Sequence, residues 1–413
     1  MSATSSSRVA GPDGAVFLTG ATGFVGMEIL ARYLERTDRP VYAAVRGRDR
    51  ADSEARLREA VGCMIGDPDA YADRLFAVPA DIERPGLGLP QAEREQLAER
   101  VTEIIHSAAS VSFTLSLERS REINVEGTRR MLDLAELCRE RGHLRRYVHI
   151  STAYVAGTHR GEFSEEQLDV GQGFRNPYEQ SKFEAEQLVR THDHLPIQIF
   201  RPSIVVGERA TGWTASFNVL YTPLKAFVRG ALPALPARRS APVDVVPVDY
   251  VADAVFKLAS DPHAGPGTYH LVAGPNATNV GHLISLSAQH VGQREPVVIP
   301  PGVFNRVVYP VLAGTSARRR RGLQRTRVFF PYFAMDVSYG NANARRDLEP
   351  DGIEVPPIDS YFGRLVEYAQ RAEWGRAPVS RAQAAADCFD SANGETHRNA
   401  GSKTAAAAGP AVH

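Results

Sequence analysis

Lysine is nearly missing from this chain of 413 residues: of 48 basic side chains only Lys182, Lys225, Lys257 and Lys403 are lysines, and arginine fills the other positions. Cysteine is scarce as well. Cys63, Cys138 and Cys388 stand too far apart for a CxxC pair or a metal-ligand spacing, which argues against a disulfide framework and fits a reduced, cytoplasmic setting. Net charge is absent, because 48 acidic residues balance 48 basic ones, and nothing global favours nucleic acid or an anionic membrane. Long apolar runs are also lacking. The longest stretch free of Asp, Glu, Lys and Arg, around Pro266 to Gln293, is broken by Gly267, Gly274, Pro275 and Asn276, whereas a membrane span needs about 20 mostly apolar residues. The first 13 residues are small and polar, without the apolar centre of a signal peptide. A soluble protein is the reading, with peripheral membrane contact left open.

What is present is an alternation. Short apolar runs at Ala15–Thr19, Val41–Val45, Leu75–Pro79, Glu103–His106, Arg146–Ser151 and Ile197–Arg201 read as strands. Between them lie helical patterns through Met27–Leu34, Ser53–Val61, Gln91–Glu99 and Leu117–Arg141, and one opening at Pro177. Such a series predicts an α/β fold, a doubly wound parallel sheet covered on both faces. Beyond about Val205 prolines are dense and the rhythm breaks. We read residues 14–205 as the nucleotide-binding unit and 206–377 as a smaller, mostly helical substrate-binding lobe interleaved with the last sheet strands. The tails, 1–13 and 378–413, bury too little apolar surface to offset chain entropy and read as disordered.

The junction between the first strand and the first helix reads Thr19-Gly20-Ala21-Thr22-Gly23-Phe24-Val25-Gly26. Glycines there allow a tight turn, and the helix start offers free N–H groups and a dipole to a pyrophosphate. At the end of the second strand, an NAD site carries an acidic residue on the ribose 2′-hydroxyl; this chain has Val45-Arg46-Gly47-Arg48 instead. Arg46 and Arg48 match a 2′-phosphate, which favours NADPH. Tyr178 and Lys182, four apart on the helix after Pro177, share one face, and Ser151-Thr152 closes the preceding strand at the carboxyl end of the sheet. This set suits carbonyl reduction: Tyr178 donates the proton, Lys182 supports its phenolate and holds the nicotinamide ribose, and Thr152 holds the substrate oxygen. A compact ammonium fits that place where a planar guanidinium would not, which explains a lysine in an arginine-rich chain.

These segments resemble the extended short-chain dehydrogenases/reductases. The likeness also rests on Ala80-Asp81-Ile82, His106-Ser107-Ala108-Ala109, Asn124-Val125-Glu126-Gly127-Thr128, Ile150-Ser151-Thr152-Ala153-Tyr154-Val155 and Arg201-Pro202-Ser203-Ile204-Val205-Val206-Gly207, and covers about residues 15 to 260. Within that superfamily the chain looks most like the thioester-reductase and fatty acyl-CoA reductase branch. That narrower likeness rests on Arg46-Gly47-Arg48, Val328-Phe329-Phe330-Pro331-Tyr332-Phe333 and Pro356-Pro357-Ile358-Asp359-Ser360-Tyr361-Phe362. The resemblance implies a Rossmann-type fold and Asp81-Ile82 beside the adenine. It implies Ser107, Ala108, Ala109 and Asn124 along the cofactor, and Pro202, Ser203 and Ile204 near the nicotinamide. Thr152, Tyr178 and Lys182 are then the catalytic set. It further implies an acyl thioester substrate delivered by coenzyme A or an acyl-carrier protein.

Other features divide. Arg318-Arg319-Arg320-Arg321, with Arg325 and Arg327, is either a solvated face or a dock for coenzyme A phosphates, an acidic carrier or a membrane surface. Phe217–Leu232 is apolar at near-helical spacing, as pocket lining or ordinary core would be. Asp249 is a candidate helix cap. Rival functions are a sterol-type alcohol/ketone dehydrogenase, a nucleotide-sugar epimerase, and a non-catalytic cofactor-sensing protein of the same fold.

Overall fold

The computed structural model describes residues 14–217, 219–230, 234–310 and 328–386. The Arg318–Arg321 cluster with Arg325 and Arg327, Cys388, and residues 1–13 and 387–413 lie outside the described residues. Seven strands form the central sheet: β1 (Ala15–Thr19), β2 (Val41–Ala44), β3 (Leu75–Val78), β4 (Val101–His106), β5 (Arg146–Ile150), β6 (Ile197–Pro202) and β7 (Gly267–Leu271). Their order is β3-β2-β1-β4-β5-β6-β7, and every pairing is parallel. All residues of β1, β4, β5 and β6 are buried, as expected of parallel strands covered on both faces. The order reverses between β1 and β4, the switch point at whose carboxyl side a crevice opens in such sheets.

Helices α1 (Phe24–Arg36) and α2 (Arg50–Ile65) pack on one face with the later α7 (Val248–Ser260), through Leu30, Tyr33, Leu57, Val251 and Val255. The other face is covered by α3 (Gln91–Ala98), α4 (Leu117–Glu140) and α5 (Pro177–Arg190), through Leu97, Leu132, Ala135 and Val189. Local chemistry sets the starts. Ser116 caps α4 by accepting from the Arg119 amide, and Asn176 caps α5 from the Glu179 amide at 3.0 Å with Pro177 in its first turn. One sequence expectation fails here. Pro247, not Asp249, holds the cap position of α7, and the Asp249 carboxylate instead accepts the Arg209 amide at 3.1 Å and pairs with its guanidinium at 2.7 Å.

The lobe gathers α6 (Tyr221–Val228), α8 (Val280–Val291) and α10 (Phe362–Arg371) around Leu224, Ile284, Phe362 and Leu365; α9 (Ala342–Leu348) lies against the sheet core. Two short parallel pairs stitch lobe to sheet, Ile204–Val206 with Val245–Pro247 and Gly161–Phe163 with Val337–Tyr339. The chain stays packed a few residues past the point where the sequence suggests disorder. Ala384 is buried, the Val379 carbonyl accepts from the Trp213 indole at 2.9 Å, and Arg381 pairs with Glu208.

Beneath the carboxyl ends of β5 and β6 lies a fully buried ion pair. Glu186 of α5 meets the Arg201 guanidinium of β6 at 2.6 and 3.0 Å and accepts the Ser151 hydroxyl at 2.7 Å. Arg201 also reaches the Gln167 carbonyl at 2.8 Å and His270 of β7 at 2.9 Å. Burial alone would raise the Glu186 carboxyl, but Arg201, Arg190 and Ser151 more than offset it and hold it below the usual range. Removing one partner leaves a dry, uncompensated charge. Glu186→Ala is expected to cost about 3–5 kcal/mol of unfolding free energy, read by urea denaturation. A loss below about 1 kcal/mol, the scale of an exposed pair, would contradict this anchoring role.

Candidate active site

One cleft of about 1070 Å³ runs along the carboxyl edge of the sheet, from the glycine turn to the lobe. At its head, Gly20 has φ +77°, and a Cβ there would sit 2.9 Å from the Ala108 amide nitrogen; at Gly26 it would sit 2.0 Å from the Gly20 carbonyl. The turn is thus closed to any other side chain at both points. Helix α1 starts at Gly23 with no side-chain cap and no acid in its first turn, unlike α2, α4 and α5, which are capped by Asp49, Ser116 and Asn176. Its first N–H groups therefore face the cleft unsatisfied by any side chain, a fit for a pyrophosphate. Thr19, Gly20, Thr22, Gly23, Phe24, Val25 and Gly26 all line this end. The Thr19 hydroxyl accepts the Ala108 amide at 3.1 Å and bonds the His106 ring at 2.9 Å, which ties β1 to the loop after β4. Burial, with Lys182 second, pushes His106 down to about 3, so it is a neutral spacer.

At the second-strand end, Arg46 lines the cleft but Arg48 does not; Arg48 is exposed and pairs with Asp52. Arg56, two turns into α2, lines the cleft in its place and donates to the Arg46 carbonyl. Glu83 lines it too, engaged by Arg46 at 3.1 Å and by Arg119. Asp81 is a second departure. Ala80, Ile82 and Glu83 line the cleft while the Asp81 carboxylate turns to the Glu83 amide at 3.0 Å. Asn124 is a third: it is not among the residues lining the cleft, but clamps Ser110 through the amide at 2.8 Å and the carbonyl at 3.1 Å, and reaches the Ser181 hydroxyl at 2.9 Å. Ser107, Ala108 and Ala109 lie along the middle of the cleft, and Pro202, Ser203 and Ile204 at its far side.

Thr152, Tyr178 and Lys182 converge on the same cleft. The Tyr178 phenol is hydrogen-bonded to Thr152, and burial pushes it up to about 12 against the effect of that bond. Lys182 donates to the Ile150 carbonyl at 2.8 Å; burial pushes it down to about 8, with Glu186 opposing. The sequence puts the ammonium beside the phenol, yet its bond goes to the strand end and burial dominates the phenol. The Thr152 hydroxyl donates to the Pro202 carbonyl at 3.4 Å and accepts the Tyr154 amide at 3.3 Å, so the end of β5 is tied to that of β6.

An aromatic wall faces this group. Phe113 lies 5.5 Å from the Tyr178 ring and 5.5 Å from the Tyr332 ring, which stands edge-on to Tyr154 at 5.1 Å. The Tyr332 hydroxyl donates to Glu179 and accepts from Asn176, both at 2.6 Å, so the lobe is bonded to the helix that carries Tyr178. Phe113 falls in Ser110–Leu117, which the sequence offers as a pocket segment; Phe329 and Tyr332 stand there only in a family segment, and nothing in the sequence puts Tyr154 or Arg56 in the site.

The chain is similar in sequence and fold to several known proteins. The isonitrile lipopeptide synthase of Streptomyces coeruleorubidus is 34% identical over 258 residues, 61% of this chain and 17% of its own length. The fatty acyl-CoA reductase wat of Drosophila melanogaster is 30% identical over 314 residues, 65% of this chain and 58% of its own. This chain thus spans less than two thirds of either relative. Among solved structures, the terminal R domain from the myxalamid PKS-NRPS biosynthetic pathway superposes with a TM-score of 0.77 at 27% identity, covering 90% of this chain and 95% of that one. The family model described as male sterility protein matches residues 18–255. That is more than half of the sequence, and the chain belongs to this family of NAD(P)-binding extended short-chain dehydrogenases/reductases, whose members include thioester-reductase domains and fatty acyl-CoA reductases.

Proposed function

We propose that the protein is an NADPH-dependent reductase of acyl thioesters, presented on coenzyme A or an acyl-carrier protein, yielding an aldehyde and, on a second reduction, an alcohol. The observation that carries this reading is the single cleft that joins an uncapped helix start, two cationic arginines and the Thr152–Tyr178–Lys182 group. When bound, NADPH supplies the hydride, once for the aldehyde and twice for the alcohol. The amides of Phe24, Val25 and Gly26 would hold the pyrophosphate, and Arg46 and Arg56 a 2′-phosphate. Among the described residues that line that end, Glu83 is the acid, and it pairs with Arg46 and Arg119.

The chain's own work is at the carbonyl. Thr152 and Tyr178 donate to the oxygen as charge develops on it. The Tyr178 proton passes to that oxygen or to the departing thiolate, and Lys182 stabilises the phenolate left behind. Collapse of the tetrahedral adduct breaks the carbon–sulfur bond and releases the thiol. At about 12 the phenol stays protonated throughout the neutral range but is a weak acid, so proton transfer depends on Lys182 stabilising the phenolate.

Three outcomes follow. Tyr178→Phe is expected to lower kcat/KM for NADPH oxidation with long-chain acyl-CoA by at least about 100-fold; full turnover would exclude Tyr178 as donor. Arg46→Ala should lower kcat/KM for NADPH by about 10-fold or more while hardly changing that for NADH, since one charge-assisted contact is lost; equal losses with both cofactors would exclude a 2′-phosphate role. Lys182 is charged below about 8 and neutral above it. The pH profile of kcat/KM should therefore fall as pH rises through that value, and Lys182→Met should remove this limb while leaving a much lower plateau.

A further inference from the structure

At the second-strand end of the cleft one carboxylate stands between two guanidiniums. Glu83, just after β3, meets Arg46 from the end of β2 at 3.1 Å through one oxygen, and Arg119 from the first turn of α4 through the other. The partners differ in how firmly they are held. The Glu83 backbone is pinned: its amide donates to the Asp81 carboxylate at 3.0 Å, and the Ile82 carbonyl before it accepts from the Arg130 guanidinium at 2.8 Å. The Glu83 side chain is 18% exposed, against 65% for that of Arg46. Arg46 is thus a solvated cation resting on a fixed anion, and of the two it is the one with room to turn.

We propose, building on the NADPH reading, that Glu83 is the resident counterion of Arg46 which a 2′-phosphate displaces, and that its charge sets how far the protein prefers the phosphorylated dinucleotide. A phosphate monoester carries about two negative charges at neutral pH, where the bare ribose has a neutral hydroxyl. Glu83 competes with that phosphate for Arg46 and also repels it. The repulsion acts at the right place, because Glu83 lines the cleft together with Arg46 and Arg56. Arg119 makes the exchange tolerable. It is not among the residues lining the cleft, and it stays on Glu83 when Arg46 turns away, so the largely buried carboxylate keeps a partner throughout. Arg119 is itself steadied by Glu122 at 2.8 Å. A dinucleotide without the phosphate meets Arg46 still paired, and its affinity is indifferent to Glu83.

The test is the Kd of NADP⁺ and of NAD⁺, by titration calorimetry on the full chain at low ionic strength, where exposed charges are least screened. Circular dichroism reports that each variant has folded. Glu83→Gln should tighten NADP⁺ about fivefold, the scale of an exposed ion pair, and leave NAD⁺ within about twofold. Arg119→Met, which ties Glu83 to Arg46 alone, should weaken NADP⁺ by about the same factor. In the Glu83→Gln background Arg119→Met should have no effect. A merely structural acid would behave otherwise, since its loss would loosen the ends of β2, β3 and α4 together and lower the affinity for both dinucleotides. A Glu83→Gln protein that binds NADP⁺ no tighter, or an Arg119→Met effect that persists without the acid, would overturn the inference alone. Selective loss of NAD⁺ in Glu83→Gln would make Glu83 a ligand of the ribose hydroxyl and overturn it as well. If the unaltered protein binds NAD⁺ more tightly than NADP⁺, the NADPH reading falls and this inference with it.

Discussion

The buried pair of Glu186 and Arg201 is the constraint on which the site's geometry depends. A carboxylate and a guanidinium so deep in the molecule are tolerable only if each satisfies the other and its remaining bonds are filled. Filling them draws together Ser151 after β5, Arg201 on β6, His270 on β7 and the Gln167 carbonyl. Glu186 lies four residues after Lys182 and eight after Tyr178, on the same side of α5. Clamping it therefore fixes that helix against the strand ends where Thr152 emerges. Asn124 braces the other side by holding Ser110 and Ser181 together.

Around this anchor, two kinds of backbone do the binding. The turn at Gly20 and Gly26 brings strand and helix closer than any side chain allows, and the bare start of α1 offers its amides outward. The segment with Phe329 and Tyr332 closes the opposite wall through the bond from Tyr332 to Glu179, the residue next to Tyr178. A lobe bonded directly to the helix of the proposed proton donor can align a substrate held in the lobe with chemistry done on the sheet.

The fold was legible because buried parallel strands write themselves as short apolar runs, and all six strands inferred from Ala15 to Arg201 lie in the sheet. The glycine turn and the Tyr178–Lys182 spacing were legible because their chemistry is local. What stayed hidden was what depends on side-chain direction or on distant pairing. Arg46, Arg48 and Arg56 look alike in sequence, and only the path from β2 into α2 turns Arg48 to solvent and Arg56 to the cleft. After β3 the backbone likewise turns Asp81 to the Glu83 amide and leaves Glu83 lining the cleft. Phe113, Tyr154 and Tyr332 come from separate stretches of chain, and no periodicity brings them together. The edge strand Gly267–Leu271 sat inside the uncharged stretch near Pro266, with nothing local to place it beside β6.

The most direct measurement is a crystal structure with NADP⁺ and a non-reducible acyl thioester analogue. The account predicts the pyrophosphate on the amides of Phe24 to Gly26, the nicotinamide beside Lys182, and the analogue's carbonyl oxygen within hydrogen-bond reach of Tyr178 and Thr152. A nicotinamide bound away from Tyr178, or a carbonyl oxygen held by other groups, would contradict it.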